Sequence, residues 1–171
     1  MDYIQHKMTG GEHSPWEYFK FALVLVGITA TSAYLTANSS SGDITEWTRW
    51  FMGVFFAVFG TFKLIGYSMF VEMFAGYDII AQRFKPYSYA YPFIELGLAT
   101  LYLANLFPAA RDWLTLIIMG VGSIGVFQEI RKRSGIHCAC LGNIIKLPLS
   151  TVSLVEDLGM GIMALLMILS R

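Results

Sequence analysis

The chain has 171 residues, of which 56% are hydrophobic and 15% aromatic, and its mean hydropathy is +0.56. Only 14% are charged, with 12 basic residues balanced by 12 acidic ones. A water-soluble surface usually needs about 25%, disorder needs low hydrophobicity and high charge, and nucleic-acid binding needs a basic field, so all three are excluded.

What remains is an all-α protein: an integral membrane helical bundle of four to five transmembrane helices whose first partner is the lipid bilayer. Apolar runs cover residues 21–37, 50–62, 96–110, 113–127 and 158–170. Each approaches the roughly 20 helical residues that cross a hydrocarbon core. Backbone groups in lipid must bond within their own segment, so these runs are read as helices. Residues 1–15 form a polar arm, and 16–171 a single bundle domain. The arm has no apolar stretch before Trp16 and so no cleavable signal peptide.

In chain order, the first helix is expected over 16–37, opened by Pro15. A turn-rich linker, 38–43, follows. The second helix is expected over 46–76, long for one crossing, with a tilt or break near Gly66. Gly53, Ala57 and Gly60 share one of its faces, allowing close helix approach. Residues 77–90 read as a polar, aromatic connection. The third helix is expected over 92–107 and the fourth over 112–130, the latter dented by Gly122 and Gly125. A loop over 131–153 follows, and then a last helix over 154–170, opened by a capping box from Ser153 to Glu156. All five prolines then fall at or outside helix ends, where a missing N–H is harmless. The four tryptophans mark membrane–water interfaces. With the N-terminus cytoplasmic, eight lysines and arginines lie inside and three outside. The loop over 131–153 is then cytoplasmic.

That loop holds the chain's two cysteines, in His137-Cys138-Ala139-Cys140. Arg131, Lys132, Arg133 and Lys146 flank it, and nearby cations favour thiolate, the reactive form. Two thiolates one residue apart can close a strained, readily reduced disulfide. They can equally clamp a soft ion such as Cu(I), Zn(II) or Hg(II), with His137 as a third ligand. The spacing alone does not choose between these. Three polar residues fall in or near the bilayer: Lys63, Glu72 and Glu95. Intramembrane charge is expensive and faces the bundle or an interface, so Lys63 is expected to snorkel or to pair with Glu95 or Glu72. Glu156 and Asp157, read as the first turn of the last helix, complement its dipole. Being on the cysteine side, they could also exchange protons with Cys138 and Cys140. Met160, Met163 and Met167 form a stripe better read as core than as a copper path. No nucleotide-binding or hydrolase motif is present.

Cys138-Ala139-Cys140-Leu141-Gly142, Leu147-Pro148-Leu149-Ser150 and Val155-Glu156-Asp157 together resemble the MauE/DoxX-like redox-associated membrane proteins. Phe62-Lys63-Leu64, Tyr77-Asp78 and Tyr91-Pro92-Phe93-Ile94-Glu95-Leu96 extend the resemblance across about residues 50–169. The resemblance implies a small helical bundle, often of four helices and broadly similar to vitamin K epoxide reductase-like bundles. It also implies a link to methylamine utilisation and to maturation of a disulfide-rich partner. Some relatives with this cysteine motif carry a heavy-metal-associated domain, for which the cysteine-free first 15 residues are too short. The resemblance favours thiol-disulfide exchange at Cys138 and Cys140, with a thioredoxin-like protein or a quinone taking the electrons. Soft-metal binding at Cys138, Cys140 and His137, or a non-catalytic role in a larger membrane complex, are the alternatives. The expected location is the bacterial inner (cytoplasmic) membrane.

Overall fold

A computed structural model describes residues 15–39, 42–132 and 149–170. Among these, every regular element is helical: α1 (Pro15–Ala37), α2 (Ile44–Ile65), α3 (Tyr67–Tyr77), α4 (Ile79–Arg83), α5 (Lys85–Leu103), α6 (Pro108–Lys132) and α7 (Leu149–Leu169). By length and composition, three spans suit a membrane crossing: Tyr18–Ala37, Ile44–Ile65 and Pro108–Gln128. The protein is an integral membrane helical bundle.

The bundle is built from two close helix pairs, α2 with α5 and α6 with α7, with the short helices α3 and α4 packed between them. Lipid offers no hydrophobic drive between helices, so close backbone approach and van der Waals contact hold such a bundle. The glycines supply that approach. A Cβ on Gly53 would lie 2.8 Å from the Leu103 side chain, and one on Gly60 would lie 3.1 Å from Leu96. On α6, a Cβ on Gly125 would lie 2.8 Å from the Tyr77 backbone oxygen. Aromatic rings fill the centre: Phe55 stacks on Phe59 at 4.2 Å between centroids, and Phe74 lies 4.4 Å from Tyr91. Such pairs add roughly 0.5–1.5 kcal/mol each beyond their buried area. The methionine stripe is core, with Met160 and Met167 buried and Met163 packed against them.

Helix α1 stands at the edge, packed on α2 through Ile28, Ser32 and Phe21, and most of its surface is exposed. Its serine and threonine hydroxyls do not go unsatisfied in that setting. Thr29, Thr31, Ser32 and Thr36 each donate to the carbonyl four residues back, at 2.8–2.9 Å. This is the local bond that a polar side chain on a lipid-exposed helix needs.

The expected break near Gly66 is present, and several other boundaries move, among them the fourth expected helix, which runs Pro108–Lys132. The break near Gly66 falls at Gly66 itself, which ends α2 and precedes α3. The expected connection over 77–90 is almost entirely helical, and α5 starts at Lys85, not at residue 92. Pro92 is therefore interior to α5 and buried, contrary to the reading that all prolines mark helix ends. Neighbouring helices make an interior proline tolerable in a membrane bundle. Helix α7 begins at Leu149, so Ser153 is an interior residue and opens no capping box.

Candidate functional site

The helix pairs meet around an internal pocket lined by polar side chains from four elements. Lys63 comes from the last turn of α2, Glu95 from the middle of α5, and Glu156 and Asp157 from α7. Tyr77 of α3 and Tyr91 of α5 complete the polar lining, among Phe55, Phe56, Phe70 and Phe74. The space open to water centres is about 20 Å³. That is enough to hold a water molecule, which needs about 10–15 Å³ by this measure.

Lys63 Nζ donates to Glu95 Oε1, and both side chains are buried. The ammonium also lies 5.1 Å from the centroid of Tyr91 and 5.7 Å from that of Phe70. Cation–π attraction of this kind strengthens where water is excluded. Of the two partners expected for Lys63, the structure selects Glu95; Glu72 is exposed on α3 and does not join the pocket. Glu95 Oε2 is buried without a hydrogen-bond partner.

Asp157 faces α6 at Gly122, which has no side chain to meet it. A Cβ on Gly122 would lie 3.0 Å from Asp157 Oδ2. The carboxyl therefore fills a notch cut by a glycine, within electrostatic range of Lys63, Glu95 and Asp78. The expected role for Glu156 and Asp157 was complementing a helix dipole in the first turn. Because α7 starts at Leu149, both lie in its third turn, beyond the reach of that end effect.

Asp78 is a polar residue whose role the sequence reading missed. It is buried, and its Oδ1 accepts from the backbone N–H groups of Ile80 and Ala81 at 2.9 and 2.8 Å, capping α4. Burial pushes its carboxyl above the usual carboxylate range, while the N–H groups of Ala81 and Ile80 pull it down. Its Oδ2 is buried without a partner. The signal was present in the sequence: an Asp directly before an apolar Ile79-Ile80-Ala81 stretch is a helix-start pattern.

A second polar cluster lies where α5 ends. Arg49 Nη1 donates to the carbonyls of Tyr102 and Leu103 at 2.7 and 3.2 Å, and its Nε donates to Glu46 Oε2 at 3.0 Å. Arg111 donates to Asn105 Oδ1 at 2.8 Å and to Asp112 Oδ1 at 3.3 Å. The Tyr102 hydroxyl donates to Asp112 at 2.9 Å. Two guanidinium groups thus reach the last carbonyls of a helix C-terminus, those of Leu101, Tyr102 and Leu103, of which the first two also accept from the backbone N–H groups of Leu106 and Asn105. On sequence grounds Arg49 and Arg111 served only to count charges for orientation.

Cys138, Cys140 and His137 lie outside the described residues, as do the N-terminal arm and Lys146. Among the described residues no group of three or more His, Cys, Asp or Glu is arranged to hold a metal ion. A family model described as methylamine utilisation protein MauE matches residues 41–170. The chain belongs to the MauE family. The match covers α2 to α7, and α1 lies before it. No curated protein and no solved structure matches the chain.

Proposed function

We propose that this MauE-family protein carries out thiol–disulfide exchange at a membrane surface, with Cys138 and Cys140 as the exchanging pair. The observation that supports the reading is that two of the pocket's carboxyls, Glu156 and Asp157, stand on α7, the helix that follows the cysteine-bearing connection. Asp157 lies eight residues into α7, about 12 Å along the helix from its first residue at 1.5 Å per residue. Glu156 and Asp157 are then proton acceptors near, but not in contact with, that end of the helix.

The chemistry balances without a bound cofactor. One cysteine attacks a partner disulfide as thiolate and forms a mixed disulfide. The second cysteine displaces the partner's remaining sulfur and closes the Cys138–Cys140 bond. The pair loses two electrons and two protons, and the partner disulfide gains both to become a dithiol. In the opposite direction the same steps oxidise a partner dithiol, and a thioredoxin-like protein or a membrane quinone is the matching acceptor class. A bond closed across one intervening residue is strained and therefore oxidising. The reading includes an inner-membrane location with the N-terminus cytoplasmic, which rests on the loop charges alone.

The test is labelling of inside-out membrane vesicles, whose exposed face is the cytoplasmic one, with a membrane-impermeant thiol reagent, before and after reduction. Labelling of Cys138 and Cys140 that appears only after reduction, and loss of the cellular phenotype in Cys138→Ser and Cys140→Ser, is the expected result. Thiols that stay reduced and become protected by added Cu(I) or Hg(II) would replace this reading with soft-metal binding. A phenotype untouched by both substitutions would leave a non-catalytic subunit role.

A further inference from the structure

The pocket between the helix pairs confronts one cation with three carboxyls. Lys63 is paired to Glu95 through Oε1, yet Glu95 Oε2 is buried, lines the cavity and has no hydrogen-bond partner. Asp157 approaches from the opposite wall through the Gly122 notch, and Glu156 lies beside it. The remaining ionisable groups that face this space are Tyr77 of α3, Tyr91 of α5 and, behind Tyr91, Tyr87. Asp78 lies next to Tyr77 at the α3–α4 junction, and α6 lines the cavity only with Met119 and Gly122. Like charges that share a low-dielectric site cannot all ionise. An isolated ionised carboxylate inside a membrane bundle must be paired or neutralised. A protonated carboxyl would also turn an acceptor into a donor, giving Glu95 Oε2 a hydrogen bond either directly or through a water in the cavity.

We infer that this pocket is an intramembrane proton-binding site, in which Glu95 and Asp157 share one exchangeable proton and a water beside the Lys63 ammonium. The assignment stands on the pocket geometry alone and does not rest on the cysteine chemistry. If both hold, the site is where a proton released or consumed by the thiol pair is stored inside the bundle. The site can be filled and emptied because Glu95 Oε2 has no hydrogen-bond partner and the cavity beside it has room for a water. A polar tunnel is not needed for storage; the tyrosines on two walls supply hydroxyls that can pass a proton to the cavity water.

Infrared spectroscopy of the purified full chain in lipid nanodiscs reads this directly. At neutral pH the native protein is expected to show a protonated-carboxyl C=O band that shifts in heavy water. Glu95→Gln or Asp157→Asn removes it, while Glu72→Gln and the double Cys138→Ser/Cys140→Ser variant keep it. Should the pocket variants fail to fold, the native protein labelled with carbon-13 at aspartate or glutamate carboxyls gives the same answer, because the band moves with one label. Absence of the band, or a band that ignores both labels and both substitutions, overturns the proposal. So does a band abolished by sodium chloride but not by choline chloride, which would make the pocket a metal-cation site. A band that persists in a protein without thiol exchange separates failure of the cysteine reading from failure of this one.

Discussion

The two buried polar clusters have nearly the same ingredients and opposite degrees of closure. At the end of α5, Arg49 and Arg111 reach three backbone carbonyls and three side-chain acceptors, and no buried polar atom of Arg49, Tyr102, Arg111, Asp112 or Thr115 lacks a partner. In the central pocket a single lysine pairs with one oxygen of Glu95, the other oxygen is orphaned, and space for a water remains. The guanidinium is a planar fork that stays charged and caps several oxygens at once, whereas an ammonium is a compact point charge on a flexible stem. The first cluster is suited to hold a helix end in place. The second keeps capacity for something that comes and goes.

The largest effect is expected from breaking the closed cluster. Arg111→Met removes the bonds to Asn105 and Asp112 and the stacking of the guanidinium over Tyr102 at 4.7 Å. It should cost about 3–5 kcal/mol, the usual cost of leaving one buried partner uncompensated, read as unfolding free energy in detergent. The open cluster should respond differently. Lys63→Met alone is expected to destabilise by about 3 kcal/mol, while the double variant Lys63→Met/Glu95→Gln should recover to within about 1 kcal/mol of the native protein, because both charges are then gone. A double variant no more stable than the single one would mean that the pair holds the fold and the comparison fails.

A smaller effect should come from Gly125→Ala. Its Cβ would meet the backbone of Tyr77 and Asp78, which cannot swing aside as a side chain could. Overpacking of this kind costs roughly 1–3 kcal/mol. Gly122→Ala should be milder in stability, because it meets the Asp157 carboxyl instead of backbone, but should displace the infrared band of that carboxyl.

The smallest effect concerns Asp78. Its carboxyl titrates above the ordinary aspartate value of 3.8 in the folded protein, with burial the leading cause. Between 3.8 and that raised value the folded state binds more protons than the unfolded one. The contribution of Asp78 to stability is therefore present at low pH and falls as pH rises through the folded value. Asp78→Asn keeps an equally good cap oxygen and cannot ionise, so stability measured against pH should flatten and rise slightly at neutral pH. Asp78→Ala, which leaves the N–H groups of Ile80 and Ala81 uncapped, should instead lose about 1–2 kcal/mol.

Composition and apolar runs announced the membrane bundle, and the glycines at 53, 60, 122 and 125 announced where helices touch, because both depend on local residue type. The Lys63–Glu95 pair was legible as one of two options, since depth in the bilayer can be counted along a helix. The choice against Glu72 was not legible. It depends on which way α3 turns after Gly66, a tertiary matter. The start of α7 at Leu149 was hidden because Ser150, Thr151 and Ser153 read as loop. Serine and threonine do not exclude a helix, as the hydroxyls of α1 show by bonding the carbonyl four residues back. Pro92 misled for a related reason: its missing N–H ends a helix only when nothing else supports the backbone.

Helix α1 lies outside the family match and packs antiparallel on α2, with Phe21 near its start meeting Phe59 near the far end of α2. One crossing more or fewer reverses parity. With α1 present, the chain enters the bundle from the same side as the α6–α7 connection; without it, residue 42 would start on the opposite side. A reporter domain fused ahead of residue 15 and one fused at residue 42 of a shortened chain should therefore report opposite compartments from an unchanged bundle. Helix α1 can thus alter what a tethered neighbour faces without touching the residues at the centre.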